Sequence, residues 1–186
     1  MFEGDVNNLS SERFIGIRNT LLASFNKHGL DYKLFGGVVM NIYDDTRGTS
    51  DLDIAIRRTM DEVYKFVDAL VDCEYGTRTE ILEGIFGADP QSEKFLFAFS
   101  RILSNNPYFS GFHIDLCFDF GSTTYESIAS ERQEVNGITV DMATLPQMLK
   151  MKQQIDPLRE RDTQDIRFLQ QKLGVSESDM DGDSND

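Results

Sequence analysis

The chain has 186 residues, long enough for one core of ordinary size without disulfides or a structural metal to hold it. Lys and Arg number 18 against 32 Asp and Glu, and the C-terminal stretch from Ser176 carries Glu177, Asp179, Asp181, Asp183 and Asp186 with no base. Such a surface repels phosphate backbones, so extended nucleic acid is disfavoured and a small molecule or a protein is the better-fitting partner.

The N-terminal MFEGDVNNLSSERF lacks the basic-then-apolar order of a signal peptide, and no apolar run reaches membrane-spanning length. A cytoplasmic protein without a membrane partner is expected. From Ser10-Ser11, either of which can cap, Phe14, Ile17, Leu21, Leu22 and Phe25 recur at helical spacing until Lys27-His28-Gly29 stops them. The short run Lys33-Leu34-Phe35 meets Gly36-Gly37 and passes into residues 38–42, a brief helix or turn. A strand is expected over residues 51–57 and a helix over about 60–71, with Val63, Phe66, Val67, Leu70 and Val71 on one buried stripe.

Residues 77–86 fit a strand or a helix, and Gly87-Ala88-Asp89-Pro90 reads as a loop. Phe95, Phe97 and Phe99 alternate with Leu96 and Ala98, and a second alternating run covers 112–120. The turn Ser104-Asn105-Asn106-Pro107 between them makes these antiparallel neighbours. A hairpin around Asn136-Gly137 leads to helices at 145–154 and 158–173, divided by Asp156-Pro157. The pattern is that of an α/β (α+β) domain over residues 1–175, its C-terminal helices starting near 144, followed by a disordered acidic tail at 176–186. The tail is not a calcium loop, because its glycine is misplaced and no glutamate closes it. Cys73 and Cys117 have neither CxxC spacing nor a third partner, so they form no metal or disulfide framework.

Asp51 and Asp53 stand two apart in the expected strand, so both side chains leave the same face while Leu52, Ile54 and Ile56 enter the core. Carboxylates about 7 Å apart repel by about 2 kcal/mol at an effective dielectric near 20, and a divalent cation reverses that sign. Magnesium takes oxygen ligands and bridges carboxylates to phosphates, which a D-x-D strand can supply. Upstream, Gly36-Gly37 lies at a strand-to-helix junction, where bare amides and a helix N-terminus suit phosphate. In the later strand Phe112, Ile114, Leu116, Phe118 and Phe120 share one face, leaving His113, Asp115, Cys117 and Asp119 on the other. Asp115, the more central acid, is the candidate general base or further metal ligand.

These residues carry a resemblance. F-G-G-V-V-M…R-G-T-S-D-L-D-I followed by I-D-L resembles the nucleotidyltransferase superfamily of the DNA polymerase β-like fold, closest to small bacterial branches with antibiotic nucleotidyltransferases and abortive-infection toxins. The segment Met151-Lys152…Arg159-Glu160-Arg161-Asp162…Asp165 also resembles the C-terminal pattern of those branches. The resemblance implies a mixed sheet flanked by helices and transfer of a nucleoside monophosphate from a nucleoside triphosphate to a hydroxyl, with two magnesium ions. By position Asp51, Asp53 and Asp115 would be the catalytic, metal-binding acids, and Gly36 and Gly37 would hold the triphosphate, assisted by Arg47, Thr49 and Lys152. Val38 stands where many members have serine. Arg47 either reaches phosphate or braces the loop against Asp44 or Asp45, and Lys152 serves either a helix end or the nucleotide. Arg161 and Asp165 are expected to form a surface pair, and His113 is left outside the catalytic set. A small-molecule or protein acceptor leads; a toxin acting on transfer RNA and a non-catalytic nucleotide-binding or partner-binding relative are the alternatives. The short C-terminal region suggests a homodimer cleft or an external partner.

Overall fold

A computed structural model describes residues 11–44, 48–87, 99–120 and 123–175. The expected acidic tail, Arg47 and the alternating residues 95–98 lie outside them. Helix α1 (Ser11–Lys27) buries the apolar stripe read from its spacing, Phe14, Ile17, Leu21, Leu22 and Phe25. Strand β1 (Tyr32–Leu34) then runs into α2 (Gly36–Tyr43), and β2 (Asp51–Ile56) leads to α3 (Met60–Asp72). The Thr59 side chain caps α3 by accepting from the Glu62 amide, and Asp61 and Glu62 place negative charge in its first turn.

The ambiguous segment at 77–86 is helical. Thr77 and Glu80 form a reciprocal capping box for α4 (Arg78–Phe86), and Ile81, Ile85 and Phe86 bury its inner side. Strand β3 (Phe99–Leu103) begins where the alternating phenylalanines end, and β4 (His113–Cys117) takes the first part of the expected 112–120 strand. The chain breaks at Phe118 into a small separate ribbon, β5 (Asp119–Phe120) with β6 (Thr123–Thr124). The hairpin β7 (Ser130–Val135) and β8 (Ile138–Ala143) turns through Asn136 and Gly137 at φ +52° and +77°. A left-handed pair of this kind matches the twist of the flanking strands. Helices α5 (Leu145–Gln153) and α6 (Glu160–Leu173) follow.

Six strands form one mixed sheet in the order β3-β4-β2-β1-β8-β7, flanked by the helices. The neighbours β2 and β4 are parallel, while β3 joins β4 and β1 joins β2 antiparallel. Leu52, Ile54 and Ile56 from β2 and Ile114 and Leu116 from β4 are fully buried on one face. The opposite face carries the polar residues. Among the described residues no helix is long and apolar enough to cross a membrane.

Phe25 of α1 and Phe66 of α3 meet with ring centroids 5.7 Å apart, and both are fully buried. Truncating Phe66→Ala is expected to destabilise the domain by about 3–5 kcal/mol, measured by urea unfolding, because the helices cannot close over the lost ring.

Candidate active site

Strand register assembles the site. In the parallel β2–β4 pair Asp51 lies beside His113 and Asp53 beside Asp115, and in the antiparallel β3–β4 pair Arg101 lies beside Asp115. Lateral neighbours sit about 4.8 Å apart and share a face. Asp51, Asp53, Asp115 and His113 are thus the four corners of one polar patch, with Arg101 at its edge. A cleft of about 280 Å³ opens over the three acids, its floor formed by Asp51, Asp53, Asp115 and Arg101, whereas His113 lines an adjoining cavity with Ser50 and Arg101. Phe35, Gly36 and Gly37 form one wall of that cleft, and α5, α6 and their junction supply Met148, Met151, Lys152, Arg159 and Arg161 opposite.

Each carboxylate has its own compensation. Asp53 accepts a hydrogen bond from the Gly37 amide at 2.7 Å, so it caps α2 from the neighbouring strand where Phe35 offers no side-chain cap. That approach requires glycine at position 36. Gly36 has φ +62°, and a Cβ there would lie 2.3 Å from Asp53 Oδ2. Burial, followed by the Asp51 charge, pushes Asp53 up to about 7 despite the amide. At Asp51 burial opposes ionisation, but the Thr49 hydroxyl bond and the charges of His113 and Arg161 hold the carboxyl below its usual range. Asp115 is buried and takes a two-pronged bond from Arg101, Nε to Oδ1 and Nη2 to Oδ2, both 2.8 Å.

Lys152 enters from the facing wall and is itself buried. Its Nζ lies 2.9 Å from Asp162 Oδ1 and 2.7 Å from Asp165 Oδ2, and Arg159 Nε donates to Asp162 Oδ2 at 2.6 Å. The Arg159 hydrogen bond and then Lys152 hold the Asp162 carboxyl well below the usual range. Arg161 reaches across to the Gly48 carbonyl at 2.5 Å and ties α6 to the loop before β2. Three acids, a helix N-terminus and several cations around one cleft can accommodate a phosphate chain together with a divalent cation.

Neither a protein-family profile nor a curated protein sequence matches the chain. Among solved structures, an antigenic nucleotidyltransferase-like protein from Paracoccidioides brasiliensis superposes with a TM-score of 0.53 at 17% identity, over 87% of this chain and 77% of that one. The fold is the nucleotidyltransferase fold. The antibiotic-resistance factor ANT(2'')-Ia, solved in solution, gives a TM-score of 0.49 at 12% identity, over 86% of this chain and 84% of that one.

Within this nucleotidyltransferase fold the expected acids Asp51, Asp53 and Asp115 come together at the cleft, as do Gly36, Gly37 and Lys152. Thr49 is buried, bonds the Asp51 carboxylate and is not among the residues lining the cleft. Val38 is fully buried in α2 and also off the cleft. The surface pair expected of Arg161 and Asp165 is corrected: Asp165 is buried against Lys152, and Arg161 lines the cleft. Two neighbours of these acids stand outside the expected set, His113, which is set aside there, and Arg101, which is not singled out. His113 borders Asp51 through a register that sequence spacing does not encode, and Arg101 lies on a strand whose visible alternation ends at Phe99. Burial pushes the Cys117 thiol up to about 12, which favours the protonated form.

The elevated Asp53 carboxyl gives a signature in cation-free protein. Its folded value near 7 lies above the unfolded value of 3.8, so its contribution to stability is complete below about pH 4 and is lost as pH rises through 7. Urea unfolding is expected to lose on the order of 1–3 kcal/mol of stability across that window from this group. Asp53→Asn removes that part of the slope while keeping an acceptor for the Gly37 amide. Asp162 acts only at lower pH, its contribution being lost as acid protonates it.

Proposed function

We propose that the chain is a divalent-cation-dependent nucleotidyltransferase that moves a nucleoside monophosphate from a nucleoside triphosphate to a hydroxyl of a small molecule or protein. The observation that carries this reading is the juxtaposition of Asp51, Asp53 and Asp115 on adjacent strands, facing a cleft that also contains the α2 N-terminus. Asp51, Asp53 and Asp115, on neighbouring strands, would hold magnesium. Bound magnesium would neutralise phosphate charge and make the acceptor hydroxyl more acidic. The Gly36-Gly37 turn would let backbone approach the phosphates, and Lys152 and Arg161, which line the same cleft, would supply positive charge. Asp115 would take the acceptor proton, with Arg101 fixing its orientation.

A transfer-RNA acceptor is less well supported. Of the cations that could form a basic groove, Lys152 and Arg159 are already committed to Asp162, and Lys152 also to Asp165. A second reading, nucleotide binding without transfer, is favoured by Arg101, which occupies both oxygens of Asp115. It differs from the first in one measurable respect, pyrophosphate release.

Each nucleoside triphosphate is to be incubated with the protein, magnesium and a cell extract as acceptor pool, with pyrophosphate and transferred label followed. Release with at least one nucleotide is expected, with label in small metabolites or protein. The Asp51→Asn, Asp53→Asn double variant is expected to lose more than about 100-fold in rate while its unfolding midpoint holds or rises, because the repulsion between the two acids is gone. Binding of nucleotide with no release from any of them would establish the second reading, and label in transfer RNA would restore the toxin.

A further inference from the structure

His113 completes a ligand set that the three acids alone do not describe. Its Nε2 atom is shielded from solvent and has no hydrogen-bond partner among the described residues; the closest carboxylate oxygen recorded for it, Asp115 Oδ2, is 3.8 Å away. A buried ring nitrogen left without a hydrogen bond is costly, and such an atom calls for an occupant. One ligand atom each from Asp51, His113 and Asp115 lies within 4.8 Å of the others. Three ligands about 2.1 Å from a shared ion lie on average at most about 3.6 Å apart, so side-chain adjustment of up to about 1 Å closes the set.

Asp53 belongs to the same patch but not to this set, because its Oδ2 turns toward the Gly37 amide. Arg101 does not exclude an ion from Asp115. Its two bonds use two of about four acceptor positions on the carboxylate, leaving others for a cation.

We propose that Asp51, His113 and Asp115 form a mixed nitrogen–oxygen site that prefers a first-row transition ion such as Mn²⁺ over Mg²⁺. The inference deepens the cation-dependent reading above and rests on it. Magnesium favours an all-oxygen shell and binds imidazole poorly, whereas first-row transition ions accept imidazole nitrogen beside carboxylate. The nitrogen at one corner therefore sets the choice of ion while the acids set the charge.

The test uses the full chain and Mn²⁺ alone. Binding is followed by loss of the free-ion electron paramagnetic resonance signal, with Mg²⁺ as competitor, and pulsed spectra of the bound ion are examined for ¹⁴N coupling. The wild-type protein is expected to show imidazole nitrogen coupling and to require more than about a 10-fold excess of Mg²⁺ for half-displacement. His113→Gln is expected to abolish the coupling and weaken Mn²⁺ about 10-fold, with Mg²⁺ changed less than about 3-fold. The wild-type spectrum decides the question even if the variant fails to fold. Mn²⁺ bound without nitrogen coupling, or lost in parallel with Mg²⁺ in the variant, overturns this inference and leaves the carboxylate reading intact. No Mn²⁺ binding by the wild-type chain overturns both.

Discussion

Like charges on adjacent strands repel, and this domain places three carboxylates on two strands in lateral register at the centre of its sheet. The surrounding structure is organised around keeping them there. A backbone amide at the start of α2 covers Asp53, a guanidinium from the sheet edge covers Asp115, and a hydroxyl from the preceding turn covers Asp51. None of these partners is interchangeable. The amide needs a glycine beside it, the guanidinium needs β3 antiparallel to β4, and the hydroxyl needs a tight approach to β2. A sheet stabilised only by its apolar face would not require any of them, since Leu52, Ile54, Ile114 and Leu116 already secure the core.

The C-terminal helices serve the same centre from the opposite side. Lys152 is buried between two acids of α6, a charge that would be expensive to bury without those partners. Arg161 extends from that helix to the carbonyl of Gly48, one turn of chain before the first carboxylate. Lys152 thereby holds the two helices of the wall together, and Arg161 fastens that wall to the loop before β2. Positive charge is delivered to the cleft without leaving a broad basic surface, consistent with the strongly acidic balance of the whole chain.

Local signals were legible in the sequence wherever a single element decided them. The stripe from Phe14 to Phe25, the Asn136-Gly137 turn and the glycine pair that opens α2 all lie where spacing placed them. The two-residue spacing of Asp51 and Asp53 put both on one face, and alternation put Asp115 and His113 on another. Which of those faces would meet, and in what register, depended on β4 lying parallel to β2 across a long excursion. For that reason Asp115 could be chosen as an acid but His113 could not be seen as the neighbour of Asp51. Arg101 was hidden for a related reason, as its partner lies fourteen residues on and is reached only through strand pairing. At 77–86 the capping residues Thr77 and Glu80 were present, but the short apolar run was compatible with either period. Asp162 and Asp165 are polar residues on a helix, and nothing local distinguishes a buried acid from a solvated one.

Asp53 and an incoming phosphate want the same donor. The Gly37 amide is the natural contact for a phosphate at the end of α2, and the carboxylate already holds it. Exchange of one anion for the other is easy only when the displaced carboxylate has positive charge to turn to, and a cation arriving first provides it. Under the proposed function the helix terminus would impose a sequence on assembly: ion, then nucleotide, with the reverse order hindered by an anion meeting an anion. Sequential rather than random addition would be written into the chain by a single hydrogen bond and the missing side chain that permits it.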